Sequence, residues 1–588
     1  MKLREEEATL KGQPISRGIA IGKPFFLNRD EINTFELPFQ LVDTEREIER
    51  YRLAISRSKQ DLKRLQKQLE IEAVLEGVSI LDAQLEMLQD PVLTTEIEKE
   101  VKKSNKNVEF IFQQMLFKMQ EKLNSTGDPY FIERFNDLKD LAQRIFSYLH
   151  ESGNISLKDI PPHSIVCAQE LTASDAAEAS IRCVEAFVTA VGGATSHAAI
   201  VAKAKGLPYI TQVNLQAIRE NANQVLIIDG RTGDLILNPT KQTLKKYERL
   251  KIKIDSHVKS LEKNTQWPSE TYDGYAVHLS ANVESVHEIG LVHQFKGAGI
   301  GLFRSEYIFL PKGDIPPEDE QFSIYRQVIE EMRGLPVVIR TFDLGGDKVC
   351  LNEVFSNERG SFLGGRATRF LLKEREIFIT QLRAILRASV YGPVSILFPM
   401  ISTLAELRAA KQMLHEAQTQ LGLEQQSIKV GCMIEVPSAA LNVDHIVKEC
   451  DFLSIGTNDL VQYSLVVDRG DHLASEFYEP TDLSVIRLIK LITSEADQAK
   501  IPVTVCGEIA SDPRFTALLL GLGVQELSVT PRYLPLIKNA IRKTSIVDAV
   551  YLAEKALTLT TAQEILELLV QAYQENMPQD LFYNSDSI

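Results

Sequence analysis

The second half of the chain alternates short apolar runs with longer amphipathic stretches, and this alternation narrows the choice of fold more than any other feature. Eight such runs follow one another after Tyr272, within about 300 residues, as the eight strands of a (β/α)8 barrel do. They cover residues 276–283, 299–303, 336–341, 395–400, 429–435, 451–455, 502–506 and 526–530. The sequence therefore predicts a (β/α)8 TIM barrel over residues 271–588.

Polar side chains stand where these apolar runs end. In a (β/α)8 barrel the carboxyl ends of the strands meet at one mouth, and active sites lie there. Polar residues at several equivalent strand ends are therefore candidate site residues. These residues are Asn282, Arg304, Arg340, Glu435, Asn458, Asp459 and Cys506.

One histidine of the first half, His197, is predicted to lie in the first turn of a helix. A short buried strand over residues 186–191 and a paired-glycine turn precede it, and Thr195 and Ser196 can each cap the helix. The positive end of the helix dipole favours a neutral, nucleophilic ring, and the unpaired N–H groups there stabilise a phosphate. A lone histidine near a helix start is more often structural, so the role of phosphoryl carrier depends on the rest of the chain.

The first half of the chain is predicted to be an α/β domain that carries an all-helical insertion. Apolar residues from Asp43 onward fall three, four or seven apart, and similar helical stripes recur over residues 81–88, 93–123 and 131–149. Strand-like pieces stand on both sides of this region. We therefore assign residues 1–40 and 155–240 to the α/β domain with His197, residues 41–154 to an inserted helical bundle, and residues 241–270 to a helical linker.

Four cationic side chains are predicted to face the barrel mouth. They are Arg304, Arg340, Lys348 and Arg469. Arginine guanidinium groups bind phosphate and carboxylate oxygens in pairs, and a lysine adds a compact charge. The set suits a small polyanion, and its placement at strand ends favours this role over that of surface ion pairs.

Glu435 and Asp459 supply two carboxylates at further strand ends. Two carboxylates together with a substrate phosphate are the usual ligands of Mg²⁺ in proteins. Arginines, a divalent cation and a histidine point together to phosphoryl transfer, in which positioning and charge neutralisation supply most of the catalysis. Cys506 is either a small buried core residue or, facing an enolate, a general acid.

Length, charge and cysteine usage exclude several classes of protein. A chain of 588 residues is too long for a single core and should hold several domains. Lys and Arg number 65 against 80 Asp and Glu, and the net charge of −15 argues against affinity for nucleic acid or anionic membranes. No apolar run reaches the length that spans a bilayer, and residues 1–7 lack the apolar stretch of a signal peptide. The six cysteines are scattered without CxxC pairs, which favours reduced thiols in a cytoplasm.

Several of these segments together resemble the phosphoenolpyruvate–protein phosphotransferases, enzyme I of the bacterial sugar phosphotransferase system. The resemblance runs over nearly the whole chain, from Gly-Ile-Ala-Ile-Gly at 18–22 to the last barrel strand. Its most specific marks are Gly-Ala-Thr-Ser-His at 193–197, Gly-Leu-Phe-Arg-Ser-Glu at 301–306, Arg-Thr-Phe-Asp-Leu-Gly-Gly-Asp-Lys at 340–348, Phe-Leu-Gly at 362–364, Ser-Ile-Gly-Thr-Asn-Asp-Leu at 454–460 and Cys-Gly-Glu at 506–508.

The resemblance implies a reaction, its partners and a role for each matching residue. Phosphoenolpyruvate (PEP) gives its phosphoryl group to His197, pyruvate leaves, and the group passes to the small carrier protein HPr, docked on the bundle. A swivelling phosphohistidine domain and a homodimer formed through the barrel are implied as well. The implied PEP ligands are Arg304, Arg340, Lys348, Asn458, Asp459 and Arg469. The implied Mg²⁺ ligands are Glu435 and Asp459, the implied proton donor to the enolate is Cys506, and the implied supporting residues are Thr172 and Arg366.

Two alternatives differ from this assignment. Pyruvate phosphate dikinase and PEP synthase share the histidine domain and the barrel, but they carry a large ATP-binding domain before the histidine. The roughly 190 residues before His197 are largely helical bundle, without a GxxxxGK[ST] loop. A scaffold that binds HPr-like proteins without PEP chemistry is the second alternative, and the complete set of candidate residues argues against it.

The chain departs from the family pattern at five positions, which are Arg17, Gln84, Gly360, Ser361 and Gly365. The sequence also leaves open whether the route feeds sugar uptake or a regulatory phosphorelay.

Overall fold

The computed structural model describes residues 7–27, 43–71, 75–126, 129–149, 160–180, 183–193, 196–220, 225–308, 315–344, 364–468 and 477–577. Within these ranges the chain forms two compact units, one up to Ser256 and one from His257 onward. The first unit combines a mixed β-sheet with helices, and the second is a closed barrel of parallel strands with helices around it. The predicted fold class, an α/β domain with a helical insertion followed by a (β/α)8 barrel, is confirmed.

The sheet of the first unit has eight strands among the described residues. They are β1 (Ala8–Lys11), β2 (Gln13–Ser16), β3 (Ile19–Phe26), β4 (Ser164–Ala168), β5 (Val184–Thr189), β6 (Tyr209–Thr211), β7 (Leu226–Asp229) and β8 (Asp234–Leu237). Their order is β1-β8-β7-β3-β4-β5-β6-β2, in which β3 to β6 are parallel neighbours and the other pairs are antiparallel. Every residue of β4 is buried, as expected for a strand that is covered on both faces.

A helical bundle is inserted between β3 and β4, which are neighbours in the sheet. Its helices are α1 (Thr44–Ile71), α2 (Leu75–Met87), α3 (Ile97–Ser104), α4 (Val108–Thr126) and α5 (Pro129–Leu149), with a π-helical turn at Val92–Glu96. The apolar stripe of α1 is buried at Ile48, Tyr51, Leu62, Leu65 and Leu69. The face that the sequence pattern predicts for this helix is therefore the one that forms the core.

One prediction about the bundle is wrong, because residues 93–123 do not form one helical stripe. Helix α3 ends at Asn105, which has a left-handed backbone conformation with φ of 54°, and α4 starts at Val108. Asparagine adopts this conformation more readily than most residues. The break therefore needs neither glycine nor proline, which are the residues that usually reveal a helix end in a sequence.

Four further helices belong wholly or in part to the described residues of the first unit. They are α6 (Ala173–Glu178), α7 (His197–Ala204), α8 (Leu215–Arg219) and the start of α9 (Lys241–Asn264). Leu81 and Leu85 of α2 belong to the same apolar core as Ala198 and Val201 of α7. The bundle and the α/β part therefore share one core, and that core supports the helix that begins with His197. The role of α9 as a linker stays a prediction.

The barrel of the second unit closes through eight parallel strand pairs. Its strands are β9 (His278–Val283), β10 (Ile300–Arg304), β11 (Val337–Arg340), β12 (Val394–Phe398), β13 (Lys429–Ile434), β14 (Phe452–Ile455), β15 (Val503–Val505) and β16 (Glu526–Val529). Each strand begins and ends within two residues of its predicted run. Leu302, Leu397, Met433, Phe452 and Cys506 pack together in an apolar cluster separate from the larger core of this unit.

Helices follow the strands and bury their apolar faces against the outside of the barrel. They are α10 (Ile289–Gln294), α11 (Glu318–Glu331), α12 (Thr368–Lys373), α13 (Arg375–Ala388), α14 (Leu404–Leu421), α15 (Pro437–Leu441), α16 (Val443–Ile446), α17 (Thr457–Leu465), α18 (Leu483–Ala499), α19 (Pro513–Gly521), α20 (Leu534–Lys543), α21 (Ile546–Thr558) and α22 (Ala562–Asn576). Short 3₁₀ turns lie at Val286–Glu288, Ser305–Ile308, Ser389–Tyr391, Glu508–Ser511 and Pro531–Tyr533.

Candidate active site

His197 is the first residue of α7, and the residues before it fix the start of that helix. Ser196 caps the helix, because its Oγ accepts a hydrogen bond from the Ala199 N–H at 3.2 Å. Gly192 has φ of 154°, and a Cβ there would come within 2.9 Å of a tyrosine hydroxyl oxygen, so the turn after β5 requires glycine. The predicted helix start is confirmed, and His197 lies at the positive end of the helix dipole. Thr195, the other predicted cap, lies outside the described residues.

The imidazole of His197 contacts a carboxylate from the inserted bundle. Asp137 Oδ1, on α5, lies 2.7 Å from His197 Nδ1, and the side chains are 9% and 24% exposed. Because an ionised carboxylate only accepts hydrogen bonds, this contact places the ring proton on Nδ1 and the lone pair on Nε2. The same charge stabilises positive charge that develops on the ring. Asp137 therefore orients the ring of His197, and the role of Nε2 as the nucleophile stays a prediction.

Asp137 was not among the residues predicted from the sequence, because the bundle was assigned to partner docking alone. A signal was present in α5, where Asp137 stands four residues before Leu141 and eight before Ile145, both of which are buried. This spacing places the carboxylate on the apolar stripe of the helix. A buried carboxylate is destabilising unless it is paired, so its position indicates a polar partner on another element.

A buried polar network close to Asp137 in sequence ties the bundle to α6. Asp140 Oδ2 accepts hydrogen bonds from Gln84 Nε2 at 2.9 Å and from the Ser174 N–H at 3.1 Å. Ser174 Oγ in turn donates to Gln84 Oε1 at 3.3 Å. Gln84 is fully buried, so the amide that departs from the family pattern has a defined structural role here. The network fixes the start of α6 against α2 and α5.

Thr172, a predicted supporting residue, is the N-cap of α6. Its Oγ1 accepts from the Asp175 N–H at 3.2 Å and its own N–H donates to Asp175 Oδ2 at 3.0 Å, which is a capping box. Its Oγ1 also donates to Asp175 Oδ2 at 2.8 Å. These bonds order the first turn of the helix that the polar network holds. A further role of Thr172 beside His197 stays a prediction.

In the second unit, the described candidate residues stand at or just beyond the carboxyl ends of the barrel strands. Arg304 and Arg340 are the last residues of β10 and β11, and the strand register places them side by side. Asn282 is the last residue but one of β9, and the others follow their strands directly or open the next helix, namely Glu435, Asn458, Asp459 and Cys506. The closed barrel therefore brings this set to one mouth, as predicted. Lys348 and Arg469 lie outside the described residues.

Two arginines of the mouth are held in buried ion pairs. Arg340 pairs with Glu306, and its Nη1 lies 3.4 Å from Asp343 Oδ2. Arg366 donates through Nε and Nη2 to both oxygens of Asp343, at 2.8 Å and 2.9 Å, and through Nη1 to Asp459 Oδ1 at 2.9 Å. Burial by itself lowers the pKa of Arg340, but the charges of Glu306 and Asp343 raise it by a larger amount. The net pKa therefore lies above its ordinary value, and the guanidinium stays charged. Arg366, predicted as a supporting residue, thus connects the carboxylates of two strand ends.

Arg304 forms a more exposed ion pair at the same mouth. Its Nη1 donates to Glu284 Oε1 at 2.6 Å, and Glu284 is the residue that follows β9. Glu284, Glu306 and Asp343 were not among the predicted site residues. Glu284 directly follows a strand, and Glu306 and Asp343 stand two and three residues after a strand-end arginine, so their positions carry the same signal that identified the cations.

Glu435 lies buried at the centre of this arrangement. Its Oε1 accepts a hydrogen bond from the Met400 N–H at 2.7 Å, and a Cβ on Gly456 would lie 2.5 Å from its Oε2. Burial raises the pKa of Glu435 above its ordinary value, and the charges of Asp459 and Asp343 raise it further. A cation next to these carboxylates would offset that repulsion. The donor chemistry is therefore that of a site for a hard divalent cation.

The described part of the mouth contains more carboxylates than guanidinium groups. Three arginines face five acidic side chains, which are Glu284, Glu306, Asp343, Glu435 and Asp459. Binding of a small polyanion therefore requires positive charge in addition to the described arginines. No group of three or more His, Cys, Asp and Glu side chains within the described ranges is arranged to hold a metal.

Four buried polar atoms at this end of the barrel have no hydrogen-bond partner among the described residues. They are Arg340 Nε, Glu306 Oε2, Thr341 Oγ1 and Thr457 Oγ1. Each such atom destabilises a folded protein by about 1–3 kcal/mol. Their occurrence in one place indicates a ligand that satisfies them.

Cys506 combines burial with defined hydrogen bonds. The Ser454 hydroxyl donates to its Sγ at 3.2 Å, the thiol donates to the Ile455 carbonyl at 3.5 Å, and Asn282 Nδ2 donates to its carbonyl at 2.9 Å. Burial raises the pKa of Cys506 to about 11, although the Ser454 hydrogen bond lowers it. The side chain is therefore a neutral thiol at pH 7. The side chain belongs to an apolar cluster, and its role as a proton donor stays a prediction.

Asn458, a predicted PEP ligand, connects two loops of the mouth. Its Oδ1 accepts a hydrogen bond from the Glu508 N–H at 2.8 Å, and its Nδ2 donates to Glu508 Oε1 at 3.3 Å. The contact joins the loops that follow β14 and β15. Contact of Asn458 with a substrate stays a prediction.

Comparison with known proteins gives matches along most of the chain. Family models described as PEP-utilising enzyme match in three parts: the N-terminal domain at residues 11–134, the mobile domain at 160–233 and the PEP-binding domain at 258–546. The chain is similar to the phosphoenolpyruvate-protein phosphotransferase of Listeria innocua, with 35% identity over 564 residues, which are 95% of this chain and 98% of that protein. The corresponding protein of Bacillus subtilis is 34% identical over 576 residues, 96% of this chain and 99% of that protein. That of Haemophilus influenzae is 35% identical over 573 residues, with the same shares of 96% and 99%.

A search of the described helices for membrane-spanning segments gives a negative result. None of them is long and apolar enough to cross a bilayer.

Proposed function

Because this chain belongs to the phosphoenolpyruvate–protein phosphotransferases, we propose that it transfers the phosphoryl group of PEP to Nε2 of His197 and then to the carrier protein HPr, releasing pyruvate. This is the first step of a phosphotransferase system, which serves sugar uptake or a regulatory phosphorelay. The observation that carries the proposal is the contact between His197 Nδ1 and Asp137 at the start of α7. It gives the acceptor a defined nucleophilic atom in a site that stabilises an attached phosphate.

The reaction consists of one displacement at phosphorus and one proton transfer. A bond forms between His197 Nε2 and phosphorus while the bond from phosphorus to the enol oxygen of PEP breaks. The pyruvate enolate that leaves takes a proton at its methylene carbon. Asp137 stabilises the positive charge that the ring acquires, because its carboxylate lies 2.7 Å from Nδ1.

The barrel mouth is the proposed PEP site. Arg340 and Arg366 are held by buried carboxylates, so their guanidinium groups are oriented before the substrate arrives. The unpartnered buried Nε of Arg340 supports direct contact of this arginine with a ligand. Arg304, Asn458 and Asp459 complete the described part of the proposed set, and Lys348 and Arg469 supply the further positive charge that a polyanion needs.

Mg²⁺ is the proposed cofactor, and Glu435 and Asp459 are its proposed protein ligands. The donor set fits this ion, since Mg²⁺ is usually held by one or two carboxylates together with substrate phosphate and water. The excess of carboxylates over arginines and the raised pKa of Glu435 support the assignment. When bound, the ion supplies positive charge that balances the phosphate of PEP.

Cys506 is the proposed proton donor to the enolate. Its pKa of about 11 keeps the thiol protonated at neutral pH, which is the state a general acid requires. The Ser454 hydroxyl donates to Sγ and so stabilises the thiolate that remains after the transfer. The thiolate then recovers its proton from solvent, which completes the cycle.

The resemblance also supports proposals about partners and location. The bundle borders the phosphorylated ring through Asp137, which supports docking of HPr on the bundle. Dimerisation through the barrel is proposed from the family resemblance alone. The described cysteines, Cys167, Cys183, Cys432, Cys450 and Cys506, are free thiols, and a thiol proton donor needs a reducing compartment such as the cytoplasm.

The test compares two histidines that have similar local contacts. His163 Nδ1 lies 2.8 Å from Glu185 Oε1, but its side chain is 76% exposed and it does not begin a helix. The pure protein is incubated with Mg²⁺ and PEP carrying labelled phosphate, without ATP or a partner, and acid-labile phosphate is measured. We expect label on the parent protein and on His163→Ala, passage of the label to added HPr, and no label on His197→Ala. Label on His197→Ala at the parental level would overturn the proposal.

A further inference from the structure

We propose that Glu284 is a specificity-determining residue that weakens PEP binding by competing with the substrate for Arg304. The inference rests on the proposed function, because it concerns the affinity of the proposed PEP site. Its basis is the ion pair between Arg304 Nη1 and Glu284 Oε1, at 2.6 Å, inside the mouth of the barrel. The carboxylate of Glu284 occupies one donor group of Arg304 and offsets part of its positive charge, which weakens the attraction of Arg304 for an anionic group of the substrate.

The barrel framework sets the position of Glu284. Strands β9 and β10 pair in parallel with Val283 beside Phe303, so the next residues, Glu284 and Arg304, leave their strands side by side. The backbone at this point is also tied down, because Glu288 Oε2 accepts hydrogen bonds from the N–H groups of Glu284 and the following residue, at 2.7 Å and 3.1 Å. The strand register and these backbone hydrogen bonds therefore fix the position of Glu284 next to Arg304.

The ion pair of Arg304 and Glu284 is more exposed to solvent than the other ion pairs described at the mouth. The side chains of Arg304 and Glu284 are 28% and 37% exposed, whereas those of Arg340 and Glu306 are 6% and 3% exposed. A displaced Glu284 can be solvated by water, so exchange of partners at Arg304 leaves no buried charge unpaired. Exchange at a buried pair would leave one, at a large cost. Among the described arginines of the mouth, Arg304 is therefore the one at which an entering anion can replace the carboxylate partner.

The competition should reduce affinity modestly and in a charge-dependent manner. Exposed ion pairs stabilise weakly, so removal of the Glu284 charge should tighten PEP binding roughly two- to fivefold. Because the repulsion grows with the charge of the ligand, PEP should be affected more than pyruvate, which carries a single negative charge. Glu284 thus raises the PEP concentration at which the site fills and reduces the preference for substrate over product.

The test measures PEP binding directly. Glu284→Gln keeps the size of the side chain and an oxygen for Arg304 but removes the charge, and Glu284→Ala removes the contact as well. Both changes are made in a His197→Ala background, so that no phosphoryl transfer occurs, and the Kd for PEP with Mg²⁺ is measured by calorimetry. The matched control is Glu330→Gln, which removes the same charge from an exposed pair with Arg326 on α11, at 2.9 Å.

We expect the Kd for PEP to fall two- to fivefold in both Glu284 variants, to change less at high salt, and to stay at the parental value in Glu330→Gln. The Kd for pyruvate should fall less than that for PEP. In the Glu284 variants that retain His197, the tighter binding should appear as a lower KM for PEP. An unchanged or larger Kd in Glu284→Gln, with normal binding by the parent, would overturn this inference and leave the proposed function intact. Absence of PEP binding by the parent would instead overturn the proposed function and this inference with it.

Discussion

Replacement of Asp137 by asparagine tests whether a carboxylate of the bundle activates His197. Asparagine keeps the size of the side chain and can still accept the Nδ1 proton through its carbonyl oxygen. The change therefore removes the charge from a contact of 2.7 Å between two side chains that are largely buried. The phosphorylated ring is positively charged, so the loss should appear in both the rate and the equilibrium of phosphorylation.

The magnitude follows from the difference between two kinds of hydrogen bond. A bond to a charged group contributes about 1.5–3 kcal/mol, and a neutral bond about 0.5–1.5 kcal/mol. The difference of about 1–2 kcal/mol corresponds to about a 5- to 30-fold slower autophosphorylation. The loss is larger if the asparagine amide donates to Nδ1, because the ring proton then moves to Nε2 and blocks the nucleophile.

Rapid quenching with labelled PEP measures the rate, and ¹⁵N chemical shifts of the ring report which nitrogen carries the proton. Asp140→Asn is the matched control, because Asp140 lies on the same helix and is buried to the same degree, with exposed fractions of 6% and 7% for residues 140 and 137. That variant should lower thermal stability without a comparable loss of rate. PEP binding at the barrel should not change in either variant.

Two results would refute this reasoning. One is an Asp137→Asn protein that is phosphorylated at the parental rate with its proton still on Nδ1. The other is an equal loss of rate in Asp140→Asn, which would show that both acids act only through the packing of α5.

Three further predictions concern the mouth and the bundle. Cys506→Ser should lower pyruvate formation about 100-fold while the Kd for PEP changes less than about twofold, as stopped-flow assays and calorimetry can show. Because burial raises the pKa of Cys506 to about 11, alkylation of its thiol should accelerate as the pH rises toward 11. Rapid alkylation at pH 7 would contradict the burial argument. Glu435→Gln should raise the Mg²⁺ concentration for half-maximal activity by about tenfold or more, and an unchanged Mg²⁺ titration would remove Glu435 from the metal site. Gln84→Leu should destabilise the first unit by about 1–3 kcal/mol in chemical denaturation, because Asp140 loses a buried donor; stability equal to that of the parent would mean that Ser174 alone satisfies Asp140.

The barrel and most of its mouth were predictable from the sequence because both depend on local patterns. Strands that are buried on both faces appear as continuous apolar runs, and the eight runs match the eight strands to within two residues. The carboxyl end of a parallel strand fixes where the next side chain lies. Arg304, Arg340, Glu435 and Cys506 could therefore be assigned to one mouth before the structure was known.

The pairing of the site residues could not be predicted, because it depends on contacts between distant elements. Asp137 and His197 are 60 residues apart and meet only because α5 and α7 belong to one core. Arg304 and Glu284 meet because of the register between β9 and β10, which the apolar runs do not encode. The break at Asn105 was missed for a related reason, since apolar spacing continues across it and only the backbone conformation changes.

Carboxylates have opposite effects at His197 and at the barrel mouth, the proposed PEP site. At His197, the proposed phosphoryl acceptor, a single carboxylate would stabilise positive charge on the ring and so favour transfer of the phosphoryl group to it. At the mouth, five carboxylates outnumber the three described arginines, so they orient the guanidinium groups but cancel much of their attraction for an anion. Binding of PEP should therefore depend on the additional positive charge of Mg²⁺ and of residues such as Lys348 and Arg469. With an acidic mouth of this composition, we expect the metal to be needed for substrate binding as well as for the chemical step.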